Sequence, residues 1–204
     1  MEQILEKLLE SASKAKILRL FLRNPINKFS FEEIAKRSQV VPLATRKELK
    51  KFLKLGIVQE GKSQIDISRG SNRTPHAKKT AVYSANQKFP CFSELQDLVA
   101  KSSIVPRQKI TRDLKGLGKI KLAVISGVFL HTDNSRTDLL IVGERIQKRK
   151  LEKFLADTES EIGRPVQHTI MDSKEFLYRM DMYDRFLRDI MEYPHEKLVD
   201  KFNL

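Results

Sequence analysis

The sequence predicts a mixed α+β fold in two parts, on three observations. Apolar residues recur at helical spacing through the first 55 positions and then give way to β-prone segments. Beyond residue 90, apolar runs of strand length alternate with longer amphipathic stretches, the pattern of helices packed on a sheet. The charge is also unevenly shared. Of +13 overall, residues 1–90 hold 19 Lys and Arg against 8 Asp and Glu, whereas residues 91–204 hold 20 against 18.

At about 150 residues per domain, 204 residues leave room for one large domain or two small ones. Phe89-Pro90 reads as the hinge, giving domains 1–88 and 89–204. No apolar run approaches the roughly 18 residues of a membrane span, and Glu2, Glu6, Lys7 and Glu10 interrupt any signal-peptide core. The single cysteine, Cys91, excludes an intramolecular disulfide and a cysteine-rich zinc site. A cytoplasmic protein without contact to membrane is the expectation. The four histidines have no HxxxH or HExxH spacing, so neither a metal nor a cofactor is expected.

The first helix runs through Ile4, Leu8, Ile17, Leu18, Phe21 and Leu22 and stops at Asn24-Pro25. The second, over about 30–38, opens on a capping box. There the Ser30 hydroxyl accepts from the Glu33 backbone N–H and the Glu33 carboxylate reaches back. Pro42 suits the first turn of a third helix, with Leu49, Phe52 and Leu53 inward and Gly56 as its C-terminal cap. Its other face carries Arg46, Lys47, Lys50, Lys51 and Lys54. Ile57-Val58 opens an extended segment, Thr80 to Ala85 forms a second, and residues 68–79 join them through five basic side chains and no acid.

Helix, short helix, tight turn, basic helix ending in Leu55-Gly56-Ile57-Val58, then a β-hairpin: this order resembles the winged helix-turn-helix of prokaryotic transcription regulators. The resemblance covers about residues 13–87, with Leu43 and Ala44 where family members often place Ser or Thr. It implies a recognition helix in the major groove of double-stranded DNA, with Thr45, Arg46, Lys47, Lys50 and Lys51 as its contact residues. The hairpin residues Arg69, Arg73, His76 and Lys78 would lie along the backbone or minor groove.

In the second part, helices are expected near 93–103 and 107–116 and strands at 121–130, 139–142 and 166–171. A long helix with Leu151, Phe154, Leu155, Thr158 and Ile162 inward ends at Gly163. Asp172 with Glu175 starts another, and Tyr183, Phe186, Leu187, Ile190 and Met191 stripe the last. Asp181, Asp184 and Asp189 read as solvated helix faces, His131 as a surface loop residue, and Tyr193-Pro194-His195-Glu196 as a helix break.

Ile125-Ser126-Gly127-Val128-Phe129, followed by Ser135-Arg136-Thr137-Asp138 leading into Leu139-Leu140-Ile141-Val142, resembles the minimal nucleotidyltransferase family of the DNA polymerase beta type, over about residues 90–192. In active members a Gly-Ser turn holds a nucleotide phosphate, and two aspartates one residue apart on an extended strand share Mg²⁺. Here Gly127 and Asp138 match, but Val128 replaces the serine and Arg136 the first aspartate. Arg136 is expected to repel Mg²⁺ and is free to pair with Asp138 instead. The degenerate site Gly127, Val128, Arg136 and Asp138 therefore implies a domain without catalysis that dimerises or senses a ligand. A transcriptional regulator bound to double-stranded DNA, as a homodimer, is the leading expectation, and the near-neutral second part is expected not to bind DNA. The alternatives are a nucleotidyltransferase with a basic nucleic-acid-binding module and a protein–protein adaptor.

Overall fold

The computed structural model describes residues 4–65, 78–102, 105–130, 132 and 135–203, with backbone alone at 63–65 and 78–79. The chain is mixed α+β and divides into two compact units, Met1–Ser103 and Ile104–Leu204. The expected boundary at 88/89 thus falls early. The helix after Pro90 belongs with the first unit, because Val99 joins its core and the Gln96 side chain donates to the Leu22 carbonyl at 2.8 Å.

Unit 1 begins with α1 (Ile4–Leu9) and α2 (Ala12–Arg23). The sequence reads these as one helix. The chain breaks at Glu10, where φ is +53°, and Ser11 caps α2 by accepting from the Lys14 N–H. β1 (Phe29–Ser30) precedes α3 (Phe31–Ser38), whose capping box is complete: Glu33 N–H donates to the Ser30 hydroxyl at 3.2 Å and Ser30 N–H to the Glu33 carboxylate at 2.8 Å. α4 (Pro42–Leu55) starts on proline and ends on Gly56 at φ +78°, a left-handed turn that glycine adopts without steric cost. β2 (Val58–Ile65) and β3 (Lys78–Ala85) pair antiparallel, β1 adds to β3, and the sheet order is β1-β3-β2. α5 (Phe92–Ser102) completes the unit.

Phe21 fills the middle of this core, fully buried with Ile17, Leu22, Ile34, Leu49 and Phe52, and meets the Phe29 ring edge-on at 5.9 Å. Burying each such side chain contributes about 1.5–3 kcal/mol. One ion pair lies inside: Arg19, 3% exposed, donates to Glu6 at 2.7 Å and ties α1 to α2.

Unit 2 is a sheet covered on both faces. α6 (Arg107–Lys115) leads into β4 (Lys119–Ile125), a single 3₁₀ turn (Gly127–Phe129) and β5 (Leu139–Glu144). α7 (Lys148–Ile162) crosses to β6 (His168–Met171), and α8 (Ser173–Asp181), α9 (Arg185–Glu192) and β7 (Glu196–Asp200) follow. The strand order is β6-β5-β4-β7, with β5–β6 parallel and the other pairs antiparallel. β5 reads as a continuous apolar run because both its faces are covered. Leu139 and Ile141 meet α6 and α7 through Leu114, Leu151 and Phe154, whereas Leu140 and Val142 meet α8 and α9 through Phe176 and Leu187. β7, expected only as a helix break, forms the second edge of the sheet. Tyr183 does not join the last helical stripe: it stands at φ +51° and 85% exposed in the turn before α9, which Asp184 caps.

Candidate functional site

The exposed face of α4 is built by its own periodicity. Thr45, Glu48, Leu49 and Phe52 turn inward at helical spacing, which leaves the opposite face to solvent. Arg46, Lys47, Lys50, Lys51 and Lys54 are all exposed. The helix has one acid, Glu48, which is 7% exposed and bound to Lys51 at 3.1 Å. Glu48 thus offsets Lys51 alone, and no carboxylate of α4 pairs with Arg46, Lys47, Lys50 or Lys54. The Arg46 guanidinium lies over the Phe31 ring of α3 at 5.5 Å, a stacking contact that limits its freedom. Tyr83 of β3 lies in the same neighbourhood. Burial pushes its phenol above the usual range, Glu60 and Glu32 add to the rise, and Arg46 opposes it.

Thr45 does not belong to this face. It is wholly buried, and its hydroxyl donates to the Val40 and Val41 carbonyls at 3.3 and 3.2 Å. It stands four residues before Leu49 and seven before Phe52, on the inward stripe, so it secures the first turn of α4 and cannot reach a ligand. Leu43, absent from the expected contact set, is 83% exposed, and Val41 is 67% exposed. Leu43 precedes Arg46, Lys47 and Lys50 by three, four and seven residues and shares their face. The signal was present in the sequence: an apolar residue off the Leu49/Phe52 stripe, just after Pro42. Arg69, Arg73 and His76 lie outside the described residues, and Lys78 is described only as the first backbone position of β3.

The other candidate constellation sits where β4 turns into β5. Gly127 has φ +53°, and a Cβ built on it would stand 2.0 Å from Asp138 Oδ1. Asp138 is 8% exposed, and both its oxygens are engaged: Oδ1 accepts from Val128 N–H and Oδ2 from Gln167 N–H, each at 2.8 Å. Its backbone N–H donates to the Gln167 carbonyl at 2.7 Å, and its carbonyl accepts from Ser126 at 2.9 Å. This carboxylate clamps the 3₁₀ turn to the start of β6. The expected pairing of Arg136 with Asp138 is not formed. Arg136 pairs with Asp189 of α9, which is thereby drawn out of the solvated set, as Asp184 is by capping. Arg136 and Asp138 both precede β5, in a segment that is not a regular strand, so the same-side rule for strand residues does not hold for them. No group of three or more His, Cys, Asp or Glu is placed to hold a metal among the described residues. His168 is exposed on β6, and His131 lies outside the described residues.

Compared with known protein families, characterised proteins and solved structures, the chain matches none. No described helix is long and apolar enough to cross a membrane.

Proposed function

We propose that the chain is a regulator that binds double-stranded DNA through unit 1, a winged helix-turn-helix in this reading, with α4 in the major groove. The observation that carries it is the outward face of α4: Leu43, Arg46, Lys47 and Lys50 aligned and exposed while the helix's one carboxylate turns inward. The paired strands after α4 and the basic segment joining them support the same reading. Arginine and lysine contact guanine edges and phosphates, and an exposed apolar side chain suits a thymine methyl group. A protein adaptor would not require a uniformly cationic helix face.

Unit 2 is then a nucleotidyltransferase-like domain without catalysis, serving dimerisation or sensing. Its support is the glycine turn between β4 and β5, abutting an aspartate whose oxygens are spent on backbone amides. Metal-assisted nucleotide transfer needs carboxylates open to the ion.

The test is capture of genomic DNA fragments, then titration of the preferred duplex over a range of salt. Arg46→Ala with Lys50→Ala should weaken binding, with about 1–3 kcal/mol lost for each bidentate base contact and relaxed preference at that base. Arg73→Ala or Lys78→Ala should weaken all sequences alike and lower the salt slope by about 1. Binding unchanged in the α4 double variant at low salt would sink the reading in favour of the adaptor.

A further inference from the structure

The near-neutral sum of unit 2 conceals a local segregation of charge. β4 begins at the end of the sheet opposite Gly127, and there Lys115, Lys119, Lys121 and Lys201 line one open depression of about 440 Å³ with Gly118, Ile120 and Val199. Three elements converge on it: the last turn of α6, the start of β4 and the residue after β7. The β4–β5 register shifts between Ile120 and Leu122, leaving Lys121 as the extra residue of a bulge. Bulges re-aim side chains, and the Lys121 ammonium lies over the Phe202 ring at 5.9 Å. The Lys121 carbonyl accepts from the Lys201 N–H at 2.8 Å, which fixes the two lysines as neighbours. None of the four has a carboxylate ion-pair partner among the described residues. Two acids lie on the neighbouring strands: Glu144, opposite Lys119, accepts from Ser173 N–H and feels the Lys121 charge without a direct ion pair, and Asp200 pairs with Lys197. A second depression shares Lys115 and continues along α6 to Arg107 and Arg112, which pair with Glu196 and Asp113 and so add little to the free charge of the tract.

We infer that this tract binds the phosphodiester backbone of DNA, as a second contact surface independent of α4. Lysines are mobile point charges, suited to a row of phosphates rather than to one planar carboxylate. The depression is open and exposes no aromatic face to stack a base, so it reads charge and not sequence. Of its apolar lining residues, Ile120 is buried at 5% exposure and Val199 is partly buried, so neither is a fully exposed apolar side chain of the kind that anchors a protein in a bilayer. The inference rests on the DNA-binding reading, since it supplies the duplex.

The experiment measures binding of the full chain to a labelled duplex across a salt series. The wild type is compared with the triple variant Lys119→Ala, Lys121→Ala and Lys201→Ala, and with the same positions changed to Arg. The alanine variant should lose about 0.9 of slope per phosphate contact removed while keeping its sequence preference, and the arginine variant should keep the slope. A double variant, Lys119→Ala with Lys201→Ala, leaves Lys121 on Phe202 and should show the same effect in smaller measure without any cost to folding. An unchanged slope in the alanine variants, alongside weakened binding in the α4 double variant, overturns the tract and leaves the DNA reading standing. A wild type that binds no duplex overturns both. Alanine variants that lose binding to phosphatidylserine vesicles and keep the duplex slope overturn the tract as a nucleic-acid surface.

Discussion

At the scale of the residue, Asp138 shows why a motif letter does not carry a role. Under the proposed likeness to nucleotidyltransferases, this carboxylate would be expected to face a metal. Here its two oxygens hold the Val128 and Gln167 amides, and Gly127 is the only residue that fits against it. Asp138→Ala would remove the acceptor from two part-buried amides, at about 1 kcal/mol for each hydrogen bond lost. Gly127→Ala would force a Cβ into the carboxylate and hold a left-handed φ against its preference. Both variants should lower the urea midpoint of unfolding, and incubation of the wild type with Mg²⁺ and labelled nucleoside triphosphates should leave no label on protein or nucleic acid. Label that disappears in Asp138→Ala would overturn the structural role. The sequence could show the missing first aspartate. It could not show that the remaining one is closed off, because both amide partners come from elsewhere in the chain. Thr45 is the reverse case: the resemblance implied a contact residue, but its place on the Leu49/Phe52 stripe, which decides the matter, was already readable.

At the scale of the element, local rules were legible wherever one residue enforces a boundary. Ser30 and Glu33 cap α3 from both sides, Gly56 and Gly163 end α4 and α7 at φ +78° and +81°, and Asp172 caps α8 at 2.8 Å. Ser30→Ala should cost about 1 kcal/mol, read as a lower midpoint in thermal unfolding followed by circular dichroism, and Ser30→Asp should keep most of it. An unchanged midpoint in Ser30→Ala would mean that burial alone fixes the start of α3. The elements that escaped reading lack such a mark or have it masked by periodicity. The apolar spacing continues across Glu10, although Ser11 is a competent cap. β7 has the sequence Glu-Lys-Leu-Val-Asp and pairs along one side only, as an edge strand whose charges hide its alternation. The bulge at Lys121 was beyond any pattern, since register depends on the partner strand.

At the scale of the whole molecule, the distribution of charge matters more than its sum. The first 90 residues carry most of the +13, and part of that excess lies on the exposed face of α4. The division at Ser103/Ile104 could not be read from Phe89-Pro90, because Pro90 precedes a helix that returns to the first core through Val99. Two copies of so basic a unit 1 repel each other at low salt, so association is expected through unit 2, whose charges nearly balance. Helix-turn-helix proteins commonly place two half-sites about one helical turn apart, mirroring a two-fold axis. The expected outcome is therefore a light-scattering mass of twice 23.6 kDa, with a preferred duplex that is close to palindromic. In the proposed reading, raising salt should weaken binding to DNA while leaving a dimer formed through near-neutral surface of unit 2 intact. A monomer both free and on DNA, at every salt concentration, would rule the dimer out and require one copy to bind its site unaided.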